Sequence, residues 1–520
     1  MLLNILAIAL ALSATTSAMK VGSAADDHVE KLDALPGWPS TTNFSIYSGF
    51  IPVPDTSKQI HYVFLESMTG NHETDPLVVW FNGGPGCSSM LGLLQETGPF
   101  VLEDNATTYT ENLWAWNKET NILYIEQPAG VGYSTCDNSS RPQDCNHTDL
   151  SSSEDNLKVL LGWFDRFEGK YKHNKIYIAG ESYAGVYVPF LSWQISEWNK
   201  NQTADDDKIN LAGFMVGNGV TNWTYDTTPA TVDVAFYRSL VSTSTYRAME
   251  NLNCNFSGVA LQDFSNCSRE CLGHLSTLYQ AMQDIDVYNI YGRCWGADLG
   301  GLSAEEVRNQ LYGKAMINGE EKEYKKFMTA QEYTPWIKRV KKSKTDDDTD
   351  YGIPPCIYAR PAAEHLNTQA VRDQLNIKNS QVWRMCSVAG ESTFSYTISA
   401  RASQWAYEAL KGTIRMLHYS GDQDASVPTI GTERWVNGLQ WATTKPWGPY
   451  TLADKQVAGY YQQFEGDFSL VTVHGAGHMV PQDQRERAYH ILFNWVFQRE
   501  EFATSEEPKA AKAEPELLQW

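Results

Sequence analysis

Ser182 stands where a run of β-branched and aromatic residues, Ile176, Tyr177 and Ile178, ends at Gly180 and gives way to an apolar segment that starts at Ala184 and repeats at helical spacing. A strand, a sharp turn and a helix are written there in order, with a hydroxyl at the apex. Such a turn lifts a nucleophile off the backbone, where a base reaches it and backbone N–H groups meet a developing oxyanion. The second glycine of a G-x-S-x-G pattern is replaced by Ala184, with Gly185 one place later. Two more strand-like runs end at the partners a serine nucleophile needs: Thr413 to Tyr419 leads into Ser420-Gly-Asp-Gln-Asp424, and Leu470 to Val473 leads into His474-Gly-Ala-Gly-His-Met-Val-Pro481. Neutral His478 would take the Ser182 proton and return it to the leaving group, while Asp424 would hold the imidazole tautomer and stabilise the imidazolium. His474, Asp422 and His418 fall too early on the same runs and are expected to be structural or supporting.

The elements that must position these groups are legible in the apolar pattern. Leu77 to Phe81 and Ile122 to Ile125 are continuously apolar, as strands buried on both faces are, and Asn156 to Phe167 between the second of these and Ile176 has a helical pattern. Tyr47 to Glu66 alternates like an antiparallel hairpin. Short buried strands alternating with helices imply an α/β fold with a mainly parallel central sheet flanked by helices. The chain order Ser, Asp, His, each beyond a strand's carboxyl end, is that of the α/β-hydrolase fold. From Asn222 to about Tyr351 cysteines and polar residues cluster, helical patches occur at Ser276 to Gln283 and Ala304 to Leu311, and no buried-strand run is visible. The expected organisation is a signal peptide (1–18), an N-terminal segment (19–46), a first core part (47–221), a helical, disulfide-bearing cap insertion (222–350), a second core part (351–503) ending in an amphipathic helix from Gln484 to Gln498, and a disordered tail (504–520). The basic block abutting an acidic one at Val340 to Asp350 is either a solvated loop or an exposed cleavage site.

Composition narrows the partners. A formal charge of −21 and no basic stripe argue against nucleic acid and anionic membrane. The apolar run Leu2 to Leu12, ending in Thr16-Ser17-Ala18, suits a secretory signal, and no later segment approaches a membrane span. Sequons begin at Asn43, Asn105, Asn138, Asn146, Asn201, Asn222, Asn255 and Asn266. On a secretory route the nine cysteines read as up to four disulfides and one thiol rather than as metal ligands, and no cofactor is implied. Proximity suggests Cys136 with Cys145. Cys254, Cys267 and Cys271 leave their pairing open.

The glycines of Asn82-Gly-Gly-Pro-Gly-Cys-Ser-Ser89 follow a buried strand but match no phosphate-binding pattern, and they read as a loop bringing a backbone N–H to a reacting carbonyl. Together with Gly180-Glu-Ser-Tyr-Ala-Gly185, Tyr187-Val-Pro189, Gly421-Asp-Gln-Asp424 and Gly475-Ala-Gly-His-Met-Val-Pro481, this stretch resembles the serine carboxypeptidase family from about Tyr47 to Phe497. The resemblance implies Ser182, Asp424 and His478 as the triad. It implies the N–H groups of Gly84 and Tyr183 as the oxyanion hole. Asn82, Glu181 and the Gly83 N–H would bind a substrate's free α-carboxylate, supported by Glu96, and Cys87–Cys386 and Cys294–Cys356 would be disulfides. Val186 departs from the family pattern, in which many members carry His there.

Two glutamates in contact, Glu181 and Glu96, would share a proton and grip a carboxylate only while protonated. The implied function is release of C-terminal amino acids from peptides and proteins at acidic pH through an acyl-enzyme on Ser182. The alternatives are an esterase or acyltransferase of the same fold, or a protective scaffold for other lysosomal enzymes. A lysosomal, vacuolar or extracellular address is implied, and a homodimer is compatible with the family.

Overall fold

The computed structural model describes residues 30–32, 34–39, 42–261, 265–282, 284–294, 312–317, 320–325, 353–354, 356–387, 393–395 and 401–499. The expected signal peptide, the patch Ala304 to Leu311, the charged loop at 340–350 and the tail at 504–520 lie outside the described residues.

Eleven strands form one sheet: β1 (Glu30–Leu32), β2 (Ile46–Pro52), β3 (Gln59–Leu65), β4 (Leu77–Phe81), β5 (Asn121–Ile125), β6 (Ile176–Glu181), β7 (Leu211–Gly217), β8 (Arg415–Gly421), β9 (Thr443–Thr451), β10 (Val457–Phe464) and β11 (Phe468–Val473). Their spatial order is β1-β2-β3-β5-β4-β6-β7-β8-β11-β10-β9. The six strands from β5 to β11 in that order run parallel. Antiparallel strands extend the sheet at both sides. The parallel expectation therefore holds at the centre, where strands must be buried on both faces, while the flanks are meanders.

The apolar runs explain the layers. Along β4, Val78 and Trp80 join a core with Ile491, Leu492 and Trp495, whereas Leu77, Val79 and Phe81 join another with Leu160, Trp163 and Leu191. Alternate side chains of one strand thus serve opposite faces, and helices cover both. Helix α1 (Asp149–Arg166) and helix α2 (Ala184–Lys200) lie on the second face. The sequence reading starts α1 too late, because its first turns are polar. A capping box between Thr148 and Ser151 sets the true start. Val186, the departure from the family pattern, is fully buried in that same apolar core.

Between β7 and β8 the helices α3 (Thr228–Tyr237), α4 (Thr243–Asn251) and α5 (Arg269–Ala281) build a separate small core around Met249, Leu272 and Leu275. A hairpin, Tyr312–Ile317 with Glu320–Lys325, also stands in this stretch. Its Glu- and Lys-rich sequence carries no buried-strand signal, which is why no strand was expected there. Helix α6 (Arg485–Val496) closes the first face, as expected of Gln484 to Gln498.

All nine cysteines are described. Cys87–Cys386, Cys294–Cys356 and Cys136–Cys145 are bonded, and the open choice falls on Cys254–Cys271, leaving Cys267 buried and reduced. Seven sequon asparagines are exposed, but Asn222 is buried, its Nδ2 donating to Gln404 Oε1 at 2.6 Å. Asn222 is corrected as a glycan candidate, because a buried amide engaged in the core leaves no room for a sugar.

Candidate active site

Ser182 follows β6 directly and holds φ at 63°, a left-handed conformation forced by the strand-to-helix reversal. The turn is clamped by backbone bonds from Ser182 N to Gly217 O (2.9 Å) and from Val220 N to Ser182 O (3.0 Å). The irregular glycine spacing has a steric reason. A Cβ on Gly180 would run into Phe81 O and the Ala184 methyl, while a Cβ on Gly185 would come within 2.7 Å of the Gly219–Val220 backbone. The glycine after Ala184 is therefore where helix α2 presses on the loop after β7, and the Ala184 methyl itself packs over Gly180.

Asp424 and His478 come to the same edge from the loops after β8 and β11. Asp424 accepts from His478 Nδ1 at 2.7 Å, and also from Asn218 Nδ2 (2.9 Å), Ser426 N (2.7 Å) and Val427 N (3.1 Å). Four donors on one buried carboxylate fix its orientation toward His478. With the Nδ1 proton directed at Asp424, the basic nitrogen of His478 is Nε2, which is buried and has no hydrogen-bond partner. Ser182 and His478 line one cleft, and the bond between them is not closed in this geometry, a looseness common before substrate binds. His474 pairs with Asp422 at 2.7 Å on the surface, and His418 is wholly buried near Tyr407, its pKa pushed down to about 3 by burial. Neither His474 nor His418 reaches the cleft.

The loop after β4 brings Gly83 and Gly84 against Ser182. A Cβ on Gly83 would strike Tyr183 N and approach Ser182 Cβ, so the two backbones abut at the nucleophile. Gly84 sits at φ 115°, open to glycine alone. Cys87–Cys386 and the bond from Ser88 N to Met385 O (2.7 Å) anchor the far end of this loop.

Beside Ser182 lies a buried carboxyl pair. Asn82 Nδ2 donates to Glu96 Oε1 and to Glu181 Oε1, each at 2.9 Å. The amide is oriented by its other end, where Oδ1 accepts from Trp80 Nε1 (2.9 Å) and Gly92 N (3.1 Å). Burial, and then the Glu96 charge, raises the Glu181 pKa well above the ordinary carboxylate value, and burial also raises that of Glu96. Two carboxyls held this close cannot both ionise cheaply, which favours a protonated member of the pair. The remaining oxygens of both, Oε2, are buried without partners, and the two residues line a cleft shared with Gln95, Met385, Met479 and Tyr288. An arrangement of this kind can polarise a carbonyl above Ser182 and hold an anionic group about one residue away.

Sequence reasoning missed Trp80, Gly92, Asn218 and Tyr288. Trp80 was within reach, since residues i and i+2 of a strand share a face. Asn218, at the end of β7, was marked only by its place at the same sheet edge.

A family model described as serine carboxypeptidase matches residues 36–498. The chain is 32% identical over 481 residues to a serine carboxypeptidase-like protein of Arabidopsis thaliana, covering 91% of this chain and 92% of that one. It is 30% identical to the lysosomal protective protein of Mus musculus, covering 91% and 94%. In fold it is similar to a prohormone-processing carboxypeptidase of Saccharomyces cerevisiae, with a TM-score of 0.63 at 20% identity over 90% of this chain and 95% of that one. With its residues from 36 to 498 under one family model, the chain belongs to the serine carboxypeptidase family.

Proposed function

We propose that Ser182 is the nucleophile of an exopeptidase that removes single C-terminal residues under acidic conditions. His478 Nε2 takes the serine proton as Ser182 attacks the last peptide carbonyl, Asp424 stabilises the imidazolium, and the N–H groups of Gly84 and Tyr183 receive the oxyanion. The departing amine takes the proton, and water then releases the acyl group from Ser182 by the same steps in reverse. Asn82, the Gly83 N–H and the Glu181–Glu96 pair hold the free α-carboxylate of the residue to be released. The observation that carries this reading is the shared amide: Asn82 donates to both buried carboxyls in the cleft that ends at Ser182 and His478. A generic esterase has no use for such a clamp.

The protonated pair donates to a carboxylate and the ionised pair repels it, so activity belongs to acid. Four disulfides and exposed sequons fit a secretory route to a lysosome-like or vacuolar compartment, or outside the cell. Purified protein is incubated with N-blocked dipeptides differing in the last residue, at about pH 4.5 and about pH 7, with and without a serine-directed fluorophosphonate. Release of the terminal amino acid at the lower pH, abolished by the reagent and by Ser182→Ala, is expected. No release at either pH overturns the reading.

A further inference from the structure

The segment from Asp286 to Ile290 belongs to the stretch between β7 and β8, yet it is bonded to both loops that carry the His–Asp pair. Val287 O accepts from Ala425 N (2.9 Å), and Ile290 N donates to Gln423 O (3.1 Å), bracketing Asp424. Tyr288 O accepts from His478 N at 2.6 Å, and Asn289 Nδ2 donates to Asp483 Oδ2 (3.0 Å), which also accepts from Gly477 N (2.7 Å). The segment is a strap laid across the Asp424 loop and the His478 loop, and Cys294 ties its downstream end to Cys356.

Tyr288 is the residue of the strap that reaches the reacting groups. Its ring stands edge-on to the imidazole of His478, with centroids 4.9 Å apart at 61°, its hydroxyl faces Ser426 beside Asp424, and it lines the cleft with Ser182. Its own backbone is set by Asp286, whose Oδ1 accepts from Tyr288 N at 2.9 Å. Gly477 is glycine because a Cβ there would clash with Tyr288 O and come within 2.6 Å of Asn289 Cβ. The fit is too close for the strap to be a covering alone.

We propose that Tyr288 is a positioning residue of the triad: its carbonyl and ring fix His478 between Asp424 and Ser182, and its strap locks the loops of Asp424 and His478 into one register. The ring also keeps water from the Nδ1–Asp424 bond, where a low local dielectric strengthens that bond. The acidic groups facing this assembly are Asp424 itself, Asp286, Asp483 and Glu96. The inference rests on Ser182 and His478 as nucleophile and base.

The test reads that chemistry without the carboxylate clamp. The rate at which a small fluorophosphonate labels Ser182 in the full-length protein depends on His478 as base and not on a peptide C-terminus. Tyr288→Leu is expected to slow labelling at least about tenfold and to lower kcat on a blocked dipeptide more than it raises KM. Tyr288→Phe, which keeps ring and carbonyl, recovers most of the rate. Gly477→Ala, which leaves Tyr288 in place but displaces its carbonyl, reproduces the slowing. Wild-type labelling rates in Tyr288→Leu and Gly477→Ala, with any loss confined to KM, overturn the proposal and leave Tyr288 a cleft wall. If the wild-type protein itself does not label, the nucleophile assignment fails first and the inference falls with it.

Discussion

At the scale of single residues, the site turns on how the Glu181–Glu96 pair holds its proton. Both carboxyls are raised by burial, and Glu181 further by the neighbouring Glu96. A carboxyl with a raised pKa keeps its proton, and here its ability to bind an anion, until the pH climbs through the raised value. On the proposed role of the pair, the wild-type kcat/KM is expected to fall on the alkaline side through weaker binding. Glu181→Gln supplies an amide donor at every pH, so the ratio of kcat/KM at about pH 5 to that at about pH 7.5 is expected to shrink several-fold, with the change residing in KM. An unchanged profile removes the pair from the account of acid preference. The residues proposed to do the chemistry were readable because their types are scarce at strand ends. Their supports were less so: Trp80 was within reach beside Asn82, but the bond from Asn218 to Asp424 exists only once β7 lies in the sheet.

At the scale of elements, the close approach of strand, elbow and helix sets what each glycine must be. Gly185→Ala forces a methyl into the Gly219–Val220 backbone, which cannot yield as a flexible side chain does. A loss of about 1–3 kcal/mol in unfolding free energy is expected, by denaturant titration, with slower fluorophosphonate labelling because the elbow shifts. Gly273 in helix α5 has nothing within 4 Å of its would-be Cβ, and Gly273→Ala is expected to be neutral or to stabilise by up to about 1 kcal/mol. Equal effects of the two substitutions would mean that the elbow tolerates repacking. The buried strands were legible as unbroken apolar runs, whereas the start of α1 was hidden by polar first turns and the 312–325 hairpin by its charges. The first turns of α1 bury polar groups, Asp149, Ser152 and Ser153, which an apolar periodicity does not register.

At the scale of the whole molecule, burial raises the pKa of several carboxyls. Burial pushes Asp226 and Asp286 each up to about 7, and Asp483, Glu96 and Glu181 are also raised. Groups that bind protons more tightly folded than unfolded contribute stability that is complete below their unfolded pKa, near 4, and is lost as pH rises through the folded value. The protein is therefore expected to melt several degrees higher at about pH 5 than at about pH 7.5. Asp226 is fully buried, accepts from Thr221 N and Asn222 N at 2.8 Å each, and accounts for at most on the order of 2–3 kcal/mol of the difference. Asp226→Asn should narrow the gap between the two melting temperatures, and a gap left unchanged would exclude Asp226 as a source. The sequence by itself determined the strand ends, the order Ser182, Asp424, His478 and the family, because a buried strand and a strained turn restrict residue types locally. The tertiary structure alone decided that Cys254 bonds Cys271, that Asn222 is closed to a glycan, that Asn82 joins two glutamates 85 residues apart, and that Tyr288 bridges the loops of Asp424 and His478. These are contacts between segments distant in the chain, and residue type and spacing carry no record of which distant groups the sheet will bring within hydrogen-bond range.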